Sequence, residues 1–155
     1  MRRRSGLLAI AVLVVGCVLL LQPFGFNQGA HLALVKALGA VHARAPHARV
    51  AILGYPHILP PTDGCFDKMP VAKGDVPYLN GIQATLNDAV RRAAAATGTT
   101  YVNVDGVSAG HDACQPIGVR WIEPVLQGTN PVVVHPNALG ESQLATRTMR
   151  VLGLG

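Results

Sequence analysis

The chain opens on a basic stretch, Met1–Ser5, then runs uncharged and apolar for 16 residues, Gly6 to Leu21, before Gln22-Pro23 breaks the run. Beyond that point the apolar positions become periodic. Leu34, Leu38, Val41 and Ala45 recur at helical spacing within residues 31–45, and Pro46 stops the pattern, which predicts a helix. Arg49–Gly54 (RVAILG) is short, apolar and closed by glycine, and predicts a buried strand. Tyr78–Thr97 places Leu79, Ile82, Leu86, Val90 and Ala93 on one stripe, with Gly98 just past the end as a C-cap, and is the clearest helix of the sequence. Thr100–Val104 (TYVNV) reads as a second strand. Asn137–Leu152 reads as a last helix, with Ala138, Ala145, Met149 and Leu152 inward, Asn137 capping the first turn and Glu141 complementing the positive dipole end.

Helix, strand, helix, strand, helix is the order of an α/β layer whose parallel strands are brought side by side by right-handed crossovers. The strand count is short for such a layer. A parallel sheet is covered on both faces and needs several strands to bury enough surface, whereas this sequence offers two, with Val132–Val134 as a third short piece. Part of a sheet domain is therefore expected. Two long connections, Tyr55–Pro77 and Asp105–Pro131, are broken by Pro, Gly and Asp, and loops of that length are usually functional or stapled.

Composition sharpens this picture. With 50% hydrophobic, 14% charged and 5% aromatic residues over 155 positions, the chain holds one modest domain, and disordered, collagen-like, coiled-coil and polytopic membrane classes are excluded. The net charge of +5 is largely local: without Arg2, Arg3 and Arg4 there are 10 basic against 8 acidic residues, and no basic patch interleaved with aromatics remains for a nucleic acid. Those arginines ahead of the apolar run give residues 1–26 the form of a signal peptide or membrane anchor. Its 16 apolar residues would reach about 24 Å as a helix, short for a span and long for a cleaved core. Either outcome places 27–155 outside the cytoplasm, secreted or anchored. Val14-Val15-Gly16-Cys17 loosely resembles a lipoprotein cleavage box, but Val18–Leu21 continues apolar, and Cys17 is read as a buried thiol. Export puts Cys65 and Cys114 in an oxidising compartment, where one disulfide is the simplest pairing and two free loop thiols are the alternative.

Among side chains able to carry chemistry, His135 stands first. It follows the apolar run Pro131–Val134, sits beside Pro136 and precedes a capped helix, and α/β proteins place reactive groups where strands run out into helices. A neutral imidazole there can act as a general base, or simply satisfy backbone groups. Gly106-Val107-Ser108-Ala109-Gly110 matches the Gly-x-Ser-x-Gly nucleophile elbow, with Asp112 or Glu123 and then His135 following in the order serine, acid, histidine. An elbow needs a helix directly after the serine, whereas His111–Gly118 is broken by Cys, Pro and Gly, so a turn serine is the plainer reading. His42 and His47 flank Pro46 and do not share a helix face as a metal pair. His31 and His57 read as surface loop residues, Trp121 beside Ile122 as a packing anchor or cleft wall, and Tyr55-Pro56 as structural.

Taken in order, Ala48–Pro56 (ARVAILGYP), Cys65, Leu79-Asn80 with the helix to Val90, Gly110-His111-Asp112-Ala113-Cys114, Arg120-Trp121-Ile122 and His135–Glu141 (HPNALGE) resemble the second half of secreted bacterial SGNH (GDSL-type) esterases and lipases. The similarity covers roughly residues 31–152, and the ordered set is far more specific than any one piece. It implies a flavodoxin-like three-layer α/β/α fold, here in part, and hydrolysis of small or lipid carboxylic esters without metal or organic cofactor. By the same resemblance His135 matches the catalytic base, Cys65 and Cys114 match a loop disulfide, and His111, Asp112 and Trp121 become candidates for the active-site rim.

The sequence departs from the family pattern in one region. Members carry a nucleophilic serine in a Gly-Asp-Ser motif, then a glycine and a Gly-x-Asn-Asp block whose groups form the oxyanion hole, and none of the three is present. Three positions before His135, where many members place an orienting Asp, stands Val132; some relatives use a backbone carbonyl instead. Losing the nucleophile–base unit costs on the order of 10⁶ in turnover and each oxyanion donor about 10² to 10³. The expectation is an exported ester hydrolase segment, truncated and inactive as written. The alternatives are a non-catalytic, membrane-tethered binding module and a hydrolase using Ser108. The missing strands also predict marginal stability or self-association.

Overall fold

The computed structural model describes residues 27–154, and the expectations for residues 1–26, leader, anchor and Cys17, lie outside them. No helix of the described residues is long and apolar enough to cross a membrane. The first helix, α1, is described over 27–44 and stops just before Pro46, which has no N–H to continue it. It is already helical at residue 27, so His31 lies within it, half-buried on the helix rather than placed on a loop. Its buried side is narrower than the spacing implied: Leu38 is buried, while Val41 stays 45% exposed.

Strands β1 (Ala51–Leu53) and β2 (Thr100–Val102) pair in parallel, Ala51 opposite Thr100, Ile52 opposite Tyr101 and Leu53 opposite Val102. Both are shorter than their apolar runs. β2 ends because the Asn103 side chain accepts the Asp105 N–H at 3.0 Å, turning the chain into the short helix α3 (Asp105–Ser108). The crossover between the strands is α2 (Val76–Thr97), which starts two residues before the predicted Tyr78 and carries Pro77 in its first turn, where a missing donor costs nothing. Gly98 ends it at φ 67° with its N–H on Ala94 O, as its position in the sequence implied. α2 packs on both strands and buries Ala89, Ala93 and Ala94, small side chains that let helix and sheet approach closely.

The last helix, α4 (Ala138–Val151), packs on β2 and is capped by the Asn137 side chain, which accepts the Gly140 N–H at 3.0 Å. It is rolled away from the predicted face. Gly140 is buried and Leu144 half-buried, whereas Ala138, Ala145 and Met149 are exposed. The roll is set by close approach: a Cβ on Gly140 would lie 2.4 Å from the Trp121 carbonyl oxygen and 3.0 Å from Trp121 Cβ. Gly140→Ala is accordingly expected to lower stability by about 3 kcal/mol, the upper end of ordinary overpacking, because a backbone atom cannot move aside as a side chain can. Urea unfolding checks this; an unchanged midpoint would remove the contact as a determinant of the roll.

One apolar cluster lies mainly in the loop layer, apart from the small side chains buried between α2 and the strands. Leu59, Met69, Val76, Ala113 and Ile122 form it, with Tyr55, Ile58, Val71, Leu79 and Val134 packed against them. The two long loops are laced together: Ala113 N–H bonds Ile58 O at 3.0 Å, Leu126 N–H bonds Lys68 O at 2.9 Å, and Lys68 Nζ donates to Cys114 O at 2.8 Å. Cys65 and Cys114 are joined by a disulfide, their Cα atoms 5.5 Å apart. Val132–Val134, expected as a third strand piece, forms a turn instead, with Val134 at φ 60°. The segment beyond it pairs with a different partner, an isolated antiparallel bridge between Ile122 and Pro136.

Candidate active site

α2 offers two kinds of side chain to the chain leaving β1. Asn87 Oδ1 accepts the Tyr55 N–H at 2.7 Å and its Nδ2 donates to Tyr55 O at 2.9 Å. One turn earlier, Gln83 Nε2 donates to Pro56 O at 2.7 Å and its Oε1 accepts the Ile58 N–H at 3.3 Å. These amides satisfy main-chain groups that lose their ladder partners where the sheet stops. Beside them Leu79, Ile82, Leu86 and Val90 form one wall of a cavity of 660 Å³, and Leu53, Tyr55 and His135 stand across it. Most of the apolar stripe legible in the sequence is thus the wall of an apolar groove, with Ile82 and Leu86 still 36% and 37% exposed.

His135 stands on the exposed rim of that groove. Its Nδ1 lies 2.9 Å from Val133 O. A carbonyl oxygen only accepts, so Nδ1 carries the ring proton and Nε2 keeps its lone pair, the arrangement of a general base. The orienting group is a main-chain carbonyl, and it belongs to Val133, one residue nearer than Val132, the position at which many family members carry an orienting Asp. This carbonyl is aimed by Val134, whose positive φ is an outlier for a β-branched residue and costs about 1–3 kcal/mol. The Tyr55 hydroxyl donates to Val134 O at 2.7 Å, and burial pushes its pKa above the ordinary phenol value.

Behind the turn lies a buried ion pair. Arg120 Nη2 is 2.9 Å from Glu123 Oε2, with the two side chains 3% and 0% exposed. Thr129 donates to the same carboxylate from its N–H at 2.7 Å and its hydroxyl at 2.9 Å, and Asn137 Nδ2 at 3.2 Å. Burial by itself would raise the Glu123 carboxyl, but the Thr129 donors, the Asn137 amide and the Arg120 charge together hold it below the usual carboxylate range. The sequence reading had Glu123 only as an alternative acid for the elbow. The signal that pointed to its actual place is Arg120 three residues before it in an otherwise apolar stretch.

The remaining candidates lie elsewhere. Ser108 ends α3 at 1% exposure, its Oγ donating to Asp105 O at 3.0 Å and accepting the His57 N–H at 3.1 Å. It does not line the groove. His57 is not a free surface residue: its Nε2 is 3.1 Å from Asp105 Oδ1, tying the β1 exit to α3. His42 Nε2 bonds Thr99 Oγ1 at 2.9 Å. His111 stacks on Trp121 with ring centroids 4.5 Å apart and bonds Val119 O through Nδ1 at 2.7 Å. Trp121 is 5% exposed, and buried Asp112 accepts the Cys114 N–H at 2.9 Å and the Gln115 amide at 3.1 Å. These contacts order the disulfide loop, and none of His111, Asp112 and Trp121 lines the groove.

A parallel strand pair joined by a crossover helix, with a histidine and an apolar groove where β1 runs out, is an α/β layer bearing its site where open sheets of this class bind ligands. The chain belongs to the GDSL-like lipase/acylhydrolase family, whose model matches residues 17–142, and its fold is that family's α/β fold in part. It is 65% identical over 124 residues to "Lipase 2" of Streptomyces coelicolor, a match covering 79% of this chain and 42% of that protein. It is 30% identical over 112 residues to "Lipase" of Streptomyces rimosus, covering 71% and 39% respectively. To "Esterase" of Streptomyces scabiei it is 31% identical over 124 residues, covering 69% and 36%. The chain thus spans about two fifths of the length of the curated relatives it matches.

Proposed function

We propose that these residues form the base-bearing part of an exported carboxylic ester hydrolase site, in which His135 Nε2 takes the proton of an attacking hydroxyl and the groove receives the apolar part of the ester. The observation that carries the reading is the imidazole itself: Nδ1 is held by Val133 O, and the ring stands at the rim of an apolar cavity of 660 Å³. Relatives named lipase and esterase support an ester as the substrate class. The hydroxyl comes from outside the described residues, because Ser108 is committed to Asp105 and His57, and Ser142 lies on α4 away from the groove.

The deciding experiment supplies that hydroxyl. A chimera in which residues 31–152 replace the matching part of S. coelicolor Lipase 2 is expected to hydrolyse p-nitrophenyl esters, and His135→Ala within it to lower kcat by about 10² to 10⁴. A folded chimera without turnover sinks the reading, as does one indifferent to His135. The 155-residue chain alone is expected to turn over no ester and to take no fluorophosphonate label; a label on Ser108 would favour the elbow instead.

A further inference from the structure

We propose that Glu123, with Tyr55, is a positioning residue that fixes the tautomer and aim of the His135 imidazole by holding Val134 in its left-handed conformation. At φ 60° Val134 folds the chain back so that Val133 O meets His135 Nδ1. Released, a β-branched residue returns to extended backbone, and that carbonyl leaves the ring. The bonds to Val134 itself come from two residues.

Glu123 acts first through its main chain. Its carbonyl accepts the Val134 N–H at 2.8 Å and its N–H donates to His135 O at 2.9 Å, so the residue at the apex of the turn and the histidine both hang on it. Its carboxylate holds the flanks. Oε1 accepts from Asn137 Nδ2 and the Thr129 hydroxyl, and Oε2 from the Thr129 N–H and Arg120. Asn137 lies two residues past His135, and Thr129 lies in the loop that leads into Val132–Val134. The carboxylate therefore clamps both approaches to the turn. Tyr55 closes the remaining side, donating to Val134 O at 2.7 Å from the exit of β1.

An ion pair this dry is weak evidence for stability, and in some systems such pairs are retained because they specify one conformation. Here the conformation specified is the turn that presents the imidazole. Asn137 donates to the Arg120 main-chain O at 2.9 Å as well, which ties the same segment to the backbone of the pair's other member.

The inference rests on the preceding reading for the role of His135, but its test needs no substrate. In full-length chain labelled with ¹⁵N-histidine, NMR distinguishes the protonated from the bare ring nitrogen. His135 is expected as one neutral tautomer, protonated at Nδ1. Glu123→Gln, which turns an amide N–H₂ or a neutral oxygen toward Arg120 and the Thr129 N–H, is expected to replace that signal by an average over both tautomers. Tyr55→Phe is expected to shift it the same way by less. Lys68→Met removes a bond to Cys114 O in the same loop layer and is expected to leave the His135 ring unmoved. A single Nδ1–H tautomer surviving in Glu123→Gln overturns the proposal, and so does Lys68→Met reproducing the change. Should Glu123→Gln fail to fold, Tyr55→Phe decides: unaltered ring signals overturn it. An inactive chimera with a tautomer that moves in Glu123→Gln would sink the hydrolase reading alone; an active chimera with an unmoved ring would sink the positioning role alone.

Discussion

Reduction of the Cys65–Cys114 bond is expected to lower stability by about 4 kcal/mol, the loop-closure entropy of a bridge whose ends are 49 residues apart. Against a typical domain stability of about 5–15 kcal/mol that is a large share. The effect is large here because of where the core lies. Leu59, Met69, Ala113 and Ile122 belong to the two loops that the bridge joins, and the sheet of the described residues beside them has two strands. Free loops would have to be ordered by main-chain bonds such as Ala113 N–H to Ile58 O, each worth about 1 kcal/mol net. Trp121 is the only tryptophan and lies buried in this layer, so its fluorescence reports the loop core while far-UV circular dichroism reports α2. Urea titrations with and without dithiothreitol, or of a Cys65→Ala/Cys114→Ala double variant, should show the Trp121 transition at much lower denaturant once the bond is gone. A coincident midpoint in oxidised and reduced protein would mean that the loop layer holds itself.

The parts legible in the sequence are those decided by neighbours in the chain. The β1–α2–β2 unit follows from two β-branched runs around a helical stripe, and the ends of α2 and α4 follow from Gly98 and Asn137, each acting on residues within a turn. The place of His135 just ahead of the capped helix is legible for the same reason. What failed was long-range. A run of three valines favours a strand, but among the described residues no strand reaches it, and the bonds from Glu123 and Tyr55 hold Val134 in a turn instead. The inward face of α4 was misplaced because the contact that sets it, Gly140 against the Trp121 carbonyl, joins residues 19 positions apart and leaves no periodic trace. The α2 stripe is legible as a shared face, but that it walls a groove is not, since a helical period says which residues share a face and nothing about what covers it. Ser108 matched an elbow by its letters, yet its hydroxyl is spent on Asp105 O and the His57 main chain.

Arg120→Met is expected to cost about 3–5 kcal/mol near neutral pH, because it leaves the Glu123 carboxylate in a dry site without its counter-charge. Both members are nearly inaccessible to water, at 3% and 0%, so solvent cannot take the place of the guanidinium. The loss should depend on pH with a definite sign. In the unsubstituted protein the Glu123 carboxyl is held below its ordinary range, against the upward push of burial, by Thr129, Asn137 and Arg120. A depressed carboxyl contributes stability that is fully present above the unfolded value of about 4.3 and is lost as pH falls through the folded value. Without Arg120 one of the groups that depress it is gone, its folded pKa rises, and less stability remains to be lost on acidification. The gap between the two proteins is therefore widest at neutral pH and narrows below about pH 4.3. Asp63 and Asp88, both also depressed, by Lys73 and Thr62 and by Arg91 and Arg92, are common to the two proteins and cancel in the difference. Urea unfolding of both at neutral pH and at pH values below the unfolded glutamate pKa measures the gap directly. A gap that stays constant down to the acid end would show that Arg120 contributes packing through its methylenes rather than a counter-charge, and a gap under 1 kcal/mol throughout would mean that Thr129 and Asn137 suffice to hold the carboxylate.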